Sequence, residues 1–191
     1  NKIFSFAIFF LIVFKIAGIY FTDFSLYGDE AQYWLWSQTL DFGYYSKPPL
    51  LAWFLGGYST LFSDSFVSLK IFPIVIYFFI SYAIYKLCLN LSFNKKKAQL
   101  CALSFLIIPA ASLSSFLIST DLLLLLFWAI SMVLLLKVIK INSTMNFFLL
   151  GLVLGLGFLA KYAAIYFLLS LLLLLFLDRT SLKSFKNNPI G

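Results

Sequence analysis

The chain has 191 residues, of which 63% are hydrophobic and 11% are charged, and its net charge is +7. A soluble domain is about 45–50% apolar and about 25% charged, so this chain carries more apolar surface than a soluble fold of its size buries. With only two cysteines, the composition excludes a disulfide-rich secreted module as well as an ordinary soluble enzyme and a disordered chain. The sequence contains no histidine, which excludes Ser-His and Cys-His nucleophiles and histidine-ligated zinc or haem. We therefore expect an integral membrane protein whose chemistry uses carboxylates, lysines, hydroxyls and aromatic rings.

Apolar runs long enough for a membrane helix recur along the chain. About 20 apolar residues cross a hydrocarbon core of about 30 Å. Four runs meet that length, at residues 3–21, 66–91, 98–118 and 122–141. The first run has a second interpretation, a signal peptide whose basic region is Lys2. Because Lys15 interrupts its apolar core and no small-residue cleavage site follows, we interpret this run as a span.

The last apolar run, residues 147–177, is interrupted only by Lys161. As one helix it would be about 46 Å long, which is too long for an upright span. Two crossings, with Lys161 near the outer turn, place ten of the 14 cations on one side, which the positive-inside rule makes cytoplasmic. Those ten cations are Lys2, Lys86, Lys95, Lys96, Lys97, Lys137, Lys140, Arg179, Lys183 and Lys186. The sequence therefore predicts an all-α, polytopic transmembrane protein with about six spans, in which residues 1–191 form a single unit.

The acidic residues are distributed in the opposite way to the cations. Of the seven acids, Asp178 alone is expected on the cytoplasmic side. The six expected outside are Asp23, Asp29, Glu30, Asp41, Asp64 and Asp121. The basic excess is thus explained by membrane topology, and we expect no nucleic-acid partner. The run of lysines at residues 95–97 is interpreted as a cytoplasmic loop rather than a lipid head-group site.

The connection between the first two spans, residues 22–65, is much longer than any other in the chain. Long loops are disproportionately functional. Asp29 followed by Gln32 is typical of a capping box and predicts a short helix over residues 30–40. Residues 50–62 predict a second apolar helix, too short to span, that lies on the outer membrane surface. We therefore expect interfacial helices in this loop.

Three acids and two lysines meet on the predicted outer surface. They are Asp29, Glu30 and Lys47 in the long loop, Asp121 at the start of the fourth span, and Lys161. Each has a structural explanation by itself, since Asp29 and Asp121 suit helix N-caps and Lys47 suits an ordinary surface position. Embedding an ionisable group in a membrane costs about 2.5–3.5 kcal/mol, however, so the cluster as a whole indicates a functional site.

The long loop carries a motif that resembles a known enzyme family. It reads GDEAQYWLWSQ at residues 28–38, followed by KPPL at residues 47–50. This pattern resembles the first external loop of GT-C glycosyltransferases, and within them the bacterial relatives of the dolichyl-phosphate-mannose protein mannosyltransferases. Two later stretches agree with the resemblance, TDL at residues 120–122 and the glycine-rich GLVLGLGFLAKY at residues 151–162.

The resemblance implies a membrane glycosyltransferase with a GT-C-like helical fold. Its donor would be a sugar, a hexose or a pentose, linked to a polyprenyl or dolichyl phosphate. Its acceptor would be a hydroxyl group of a lipid, a glycan or a protein, and transfer would invert the anomeric centre. The resemblance also implies a multi-pass protein surrounded by the lipids of the bacterial cytoplasmic (inner) membrane, with the active site facing outward.

The same resemblance implies roles for the five charged residues of the outer surface. Asp29 would act as the general base, while Glu30 would orient the acceptor or tune Asp29. Asp121 would be a second acidic contact, and Lys47 and Lys161 would bind the donor phosphate. A divalent metal ion held by Asp29 and Asp121 is an alternative left open, and no other cofactor is expected.

Members of this family have further spans and often an outer soluble domain, so we expect this chain to be the N-terminal catalytic portion of a longer protein. Two other functions are compatible with much of the sequence. A lipid-carrier transporter or flippase component would share the helices, the basic loops and a phosphate-binding lysine, and a structural or assembly subunit would share the hydrophobicity. Neither needs a carboxylate pair in an aromatic loop beside a second acidic residue. The sequence therefore favours the glycosyltransferase.

Overall fold

The computed structural model describes residues 2–21, 25–141 and 143–178, and within these ranges the chain is helical apart from turns and one isolated bridge between Tyr44 and Lys47. The helices are α1 (Lys2–Tyr20), α2 (Gly28–Gln38), α3 (Leu50–Leu61), α4 (Phe66–Asn90), α5 (Lys95–Ile107), α6 (Pro109–Ser114), α7 (Thr120–Lys140), α8 (Thr144–Ala160) and α9 (Ile165–Leu177). A single 3₁₀ turn, Tyr162–Ala164, joins α8 to α9. The predicted all-α class is therefore confirmed for the described part of the chain.

Helices α4 and α7 form the centre of the bundle and run in the same direction. At their C-terminal ends, the ammonium group of Lys140 donates a hydrogen bond to the carbonyl oxygen of Asn90. At their N-terminal ends, Lys70 of α4 donates to the carbonyl oxygen of Phe116, shortly before α7 begins. Helix α7 packs against α4 and α8, α5 packs against α4, and α3 packs against α2. The core between these helices includes Leu55, Leu69, Phe72, Leu123, Phe127, Leu150 and Val153.

Helix α1 runs in the direction opposite to α4. The ring of Phe4, near the start of α1, lies 6.4 Å from the ring of Tyr85, near the end of α4. Further along α1, the buried Lys15 contacts Ser112 and Ser115 in and after α6. The predicted first apolar run is therefore a helix that packs into the bundle.

Two of the predicted spans are confirmed as helices long and apolar enough to cross a membrane, namely α4 and α7. Shorter apolar helical stretches, of 10–17 residues each, lie at Phe4–Tyr20, Leu50–Leu61, Thr144–Ala160 and Tyr162–Leu177. The total of about six crossings stays a prediction.

The predicted third span, residues 98–118, is wrong as a continuous helix. Helix α5 ends at Ile107, and Ile108 has an extended backbone with φ −53° and ψ 128°. The cause is Pro109, whose ring disfavours the helical conformation of the preceding residue and which has no N–H to continue the hydrogen-bond ladder. The chain resumes as the short α6 and then passes through a non-helical turn to α7.

The predicted break at Lys161 in the last apolar run is confirmed. Lys161 has an extended backbone, with φ −159° and ψ 134°, between α8 and the 3₁₀ turn. Beyond it, near the start of α9, the ring of Phe167 packs edge to face against the ring of Trp128, in the third turn of α7, with 5.2 Å between the ring centroids. The start of helix α9 therefore contacts α7, while a second crossing by α9 stays a prediction.

Charged residues separate to opposite ends of the bundle. Glu30, Lys70, Asp121 and Lys161 lie where α4 and α7 begin. Exposed lysines lie near the opposite end of the bundle. They belong to the second half of α4, the first turn of α5 and the last turn of α7, and they are Lys86, Lys95, Lys96, Lys97, Lys137 and Lys140. Asp23, Arg179, Lys183 and Lys186, which also entered the predicted topology, lie outside the described residues. Which end of the bundle faces the cytoplasm stays a prediction.

Candidate functional site

Helix α2 carries the acidic motif of the long loop, and it begins two residues earlier than predicted. Its N-cap is Tyr27, with an extended backbone, and its first residue is Gly28. The carboxylate of Glu30 accepts a hydrogen bond of 2.9 Å from the backbone N–H of Tyr27, which closes the cap. The predicted cap at Asp29 is therefore wrong, because Glu30 sits at the third helical position, from which a carboxylate reaches back to the N-cap. The Asp29 side chain is left exposed to solvent.

Glu30 is buried, and its partner is a lysine to which the sequence analysis gave no role. The ammonium group of Lys70 lies 2.6 Å and 2.8 Å from the two carboxylate oxygens of Glu30. The backbone N–H of Ile118 donates a further hydrogen bond of 2.8 Å to the same carboxylate. Lys70 lies inside the predicted second span, and a lysine in such an apolar run is a signal that could have identified it.

The Glu30–Lys70 pair connects three segments of the chain. Lys70 also donates a hydrogen bond of 3.2 Å to the carbonyl oxygen of Phe116, in the turn before α7. Helix α2, the start of α4 and residues 116–118 are therefore held together by one buried ion pair. This arrangement fixes the acidic motif relative to the beginning of α7.

Asp29 lies beside an open pocket of about 450 Å³. The pocket is formed by the start of α2 and the turn that precedes α7, and its lining residues are Tyr27, Gly28, Asp29, Glu30, Tyr33, Leu117, Ile118 and Ser119. Because Glu30 is fully engaged with Lys70 and backbone groups, Asp29 is the carboxylate of this pair that is able to meet a ligand.

Tyr33 is a buried residue of α2 that lines the same pocket as Asp29. Its side chain is buried, with 5% exposure, and its hydroxyl group shares a hydrogen bond with the side chain of Thr120. Burial and the negative charges of Asp29 and Asp121 raise the pKa of Tyr33, while the Thr120 hydrogen bond lowers it by less. Both carboxylates therefore act on one phenol group, which stays protonated and is able to donate a hydrogen bond.

Asp121 lies in the first turn of α7 and is paired with Lys161. The ammonium group of Lys161 is 2.6 Å from a carboxylate oxygen of Asp121, and the two side chains are 33% and 56% exposed. The N-cap of α7 is Ser119, so the alternative in which Asp121 serves as the cap is wrong. The carboxylate is directed to Lys161 because the break between α8 and α9 places that lysine at the same end of the bundle.

Lys47 occupies the turn between α2 and α3. Its backbone exchanges hydrogen bonds of 3.2 Å and 3.4 Å with Tyr44, whose hydroxyl group donates in turn to carbonyl oxygens at the end of α2. Among the described residues, the half-buried side chain of Lys47 forms no ion pair and contacts neither Asp29 nor Asp121. The structure thus brings Asp29, Asp121 and Lys161 to one end of the bundle and leaves Lys47 on the connecting turn.

Few side chains at this end of the bundle are able to ligate a metal ion. In residues 2–21, 25–141 and 143–178 there is no group of three or more His, Cys, Asp or Glu side chains able to hold a metal ion. Of the two predicted ligands, Asp29 lies on α2 and Asp121 on α7, and Asp121 already holds the ammonium group of Lys161. These residues do not by themselves form a closed metal site.

Comparison with known proteins assigns the chain to a family. Residues 46–188 match the family described as dolichyl-phosphate-mannose-protein mannosyltransferase. The chain belongs to this family. The matching range includes Lys47, Asp121 and Lys161, and it begins after Asp29 and Glu30. The GT-C resemblance seen in the sequence is thereby confirmed at the level of the family.

A curated relative from this comparison is the lipid A galacturonosyltransferase RgtD of Rhizobium johnstonii. It is 34% identical over 146 residues, which cover 76% of this chain. The same alignment covers 30% of the relative, so the chain spans less than a third of that protein's length. No solved structure matches the chain.

Proposed function

We propose that this chain is the catalytic part of a membrane glycosyltransferase that transfers a sugar from a polyprenyl-phosphate donor to an acceptor hydroxyl group. Membership of the mannosyltransferase family and the similarity to a lipid A galacturonosyltransferase support the reaction class. The observation that carries the proposal is the exposed carboxylate of Asp29 beside an open pocket, at the same end of the bundle as the Asp121–Lys161 pair. A transporter or a structural subunit does not need this arrangement.

In the proposed reaction, Asp29 accepts the proton of the acceptor hydroxyl group as its oxygen attacks the anomeric carbon. The bond between that carbon and the lipid phosphate breaks, and the electron pair leaves with the phosphate. General-base assistance of this kind is worth about 10²–10⁴ in rate. The attack comes from the side opposite the leaving group, so the anomeric configuration inverts.

Positive charge near the leaving phosphate lowers the energy of the transition state. Lys161 lies at this end of the bundle and, unlike Lys70, is partly exposed, and binding of a phosphate would take the place of its contact with Asp121. Lys47 is the second proposed phosphate ligand, supplied by the turn before α3. Asp121, once released, would contact the acceptor. The site is proposed to face the extracytoplasmic side of the bacterial inner membrane, because the exposed lysines lie toward the other end of the bundle.

A divalent ion is a secondary proposal. Asp29 and Asp121 would be its ligands together with substrate phosphate oxygens, since Mg²⁺ is commonly held by one or two carboxylates and phosphates. Such an ion would have to displace Lys161 from Asp121. Transfer measured with added Mg²⁺ or Mn²⁺, and after chelation, tests this.

The proposed function is tested by sugar transfer from a radiolabelled polyprenyl-phosphate sugar, using the full-length protein in proteoliposomes. We expect Asp29→Asn to lower kcat by about 10²–10⁴ because the general base is removed. The matched control is Asp64→Asn, which alters an exposed acid of the same loop. Transfer by Asp29→Asn at the level of this control would refute the assigned role. Absence of transfer by folded wild-type protein with every donor tested would refute the enzyme.

A further inference from the structure

Lys15 is a buried lysine of α1 that the proposed reaction does not use. Its side chain is 3% exposed, and an ammonium group has three N–H donors. Three acceptors are present: the carbonyl oxygen of Ser112 at 3.1 Å, the hydroxyl oxygen of Ser112 at 3.0 Å and the hydroxyl oxygen of Ser115 at 2.8 Å. All three N–H donors of Lys15 therefore have acceptors in one short segment of the chain.

The surroundings of Lys15 show what this charge does. The described residues contain two ion pairs, and they involve Lys70 and Lys161 rather than Lys15. The ring of Phe116 lies 5.0 Å from the ammonium group, a cation–π distance. If α1 spans the membrane as predicted, burying a lysine in it costs about 2.5–3.5 kcal/mol, which an apolar residue would avoid. The contacts that offset this cost are all made to residues 112–116, so the conformation of that segment is what Lys15 stabilises.

The same segment is held from its other side by the acidic motif. Lys70 binds the carbonyl oxygen of Phe116, and the carboxylate of Glu30 accepts from the N–H of Ile118. Asp121 follows three residues after Ile118, and Asp29 precedes Glu30 directly. A displacement of residues 112–118 would therefore change the separation between Asp29 and Asp121.

We infer that Lys15 is a positioning residue: its ammonium group holds residues 112–118 in the place that sets Asp121 against Asp29. The kinetic consequence rests on the proposed transferase function, whereas the structural consequence does not. Lys15 lies on α1, outside the range of the family match, and has no contact with the proposed reacting groups.

The structural test is disulfide cross-linking of Gly28→Cys with Ser119→Cys, two residues that line the pocket beside Asp29. Cys88 and Cys101 are first replaced by alanine. We expect Lys15→Met to slow cross-linking about tenfold, because displacement by about 1 Å is enough to misalign a site. The matched control is Lys86→Met, which removes an exposed lysine of α4 whose ammonium group lies over the ring of Tyr82. Equal cross-linking rates in the two variants would overturn the inference.

The kinetic test uses the same two variants in the transfer assay. We expect Lys15→Met to lower kcat by about 10–100-fold while KM for the donor changes by less than about twofold, since Lys15 touches no substrate. A rise in KM with unchanged kcat would also overturn the inference. If wild-type protein transfers no sugar, the proposed function fails, and the cross-linking result alone decides on the positioning role.

A milder variant covers the case in which Lys15→Met does not fold. Ser112→Ala keeps the lysine and two of its three acceptors, the Ser112 carbonyl and the Ser115 hydroxyl. We expect a smaller reduction of cross-linking in the same direction. The control is Ser170→Ala, which removes an exposed serine of α9 that bonds only within its own helix. No difference between these two serine variants would again contradict the role of Lys15.

Discussion

The carboxylate of Glu30 and the ammonium group of Lys70 form an ion pair of 2.6 Å whose two side chains are almost completely buried. The pair lies between the acidic motif of α2 and the first turns of α4. Removing one partner of a buried ion pair leaves an uncompensated charge and costs about 3–5 kcal/mol. Glu30 therefore has a structural task that is separate from any contact with substrate.

We expect Lys70→Met to lower the unfolding temperature of the purified protein in detergent, because it leaves the Glu30 carboxylate buried without its cation. Glu30→Gln should also lower the unfolding temperature, because it leaves the Lys70 ammonium group buried without its carboxylate. The double variant Glu30→Gln/Lys70→Met should lower the unfolding temperature by less than the sum of the two single decreases, since neither charge is then left without a partner. A decrease in the double variant equal to the sum of the two single decreases would show that the two residues do not act as a pair.

The Asp121–Lys161 pair predicts a different result because both side chains are substantially exposed. Exposed ion pairs contribute about 0–1 kcal/mol to stability, so Lys161→Met should leave the unfolding temperature nearly unchanged. If Lys161 binds the donor phosphate, the same variant should raise KM for the donor sugar lipid. The control is Lys137→Met, an exposed lysine at the other end of α7. An unchanged KM in Lys161→Met would remove Lys161 from the donor site.

Two adjacent glycines of α3 allow a matched test of how closely α2 and α3 approach. A Cβ atom at Gly56 would lie 2.8 Å from the carbonyl oxygen of Ser37 on α2, whereas one at Gly57 would have nothing within 4 Å. We expect Gly56→Ala to lower the unfolding temperature, because backbone rather than a flexible side chain must move. Gly57→Ala should be neutral or stabilising by up to about 1 kcal/mol through helix propensity. Equal unfolding temperatures would contradict the close contact.

The protonation state of Tyr33 leads to a prediction about pH. Burial and the charges of Asp29 and Asp121 raise the pKa of Tyr33 above its ordinary value of 10.0, so the phenol is neutral throughout the usual assay range. Tyr33→Phe removes the hydrogen bond to Thr120, and we expect it to lower transfer by the same factor at about pH 7 and about pH 9. A loss confined to the higher pH would indicate that the phenol ionises in this range, contrary to the raised pKa.

The positions of helices that consist of a long run of apolar residues could be predicted from the sequence. The apolar runs that became α4 and α7 were placed to within about two residues at each end. The break at Lys161 also followed from length, since one helix over residues 147–177 would exceed the membrane. These features depend on the local hydrophobic pattern, which is read directly from the sequence, and on the thickness of a bilayer, which is known.

The details of the candidate site depend on contacts between distant residues, and these were not predictable in the same way. Asp29 and Glu30 are adjacent in sequence, yet one is exposed and the other is bound to Lys70, 40 residues away. The cap at Tyr27 is a local contact, but it is made by Glu30 at the third helical position and not by the predicted pattern at Asp29. Pro109 was visible in the sequence, but its effect on the third apolar run was missed because hydrophobicity alone does not register a missing N–H donor.

The interruption of the third apolar run at Pro109 also makes the segment that follows it depend on other helices. Irregular backbone is stable at membrane depth only when other groups complete its hydrogen bonds. For residues 112–118 those groups include Lys15 of α1 and Lys70 of α4, both of which precede this segment in the chain. The conformation of residues 112–118 therefore depends on α1 and α4 being packed against them. A change that displaces either helix should accordingly loosen this segment as well.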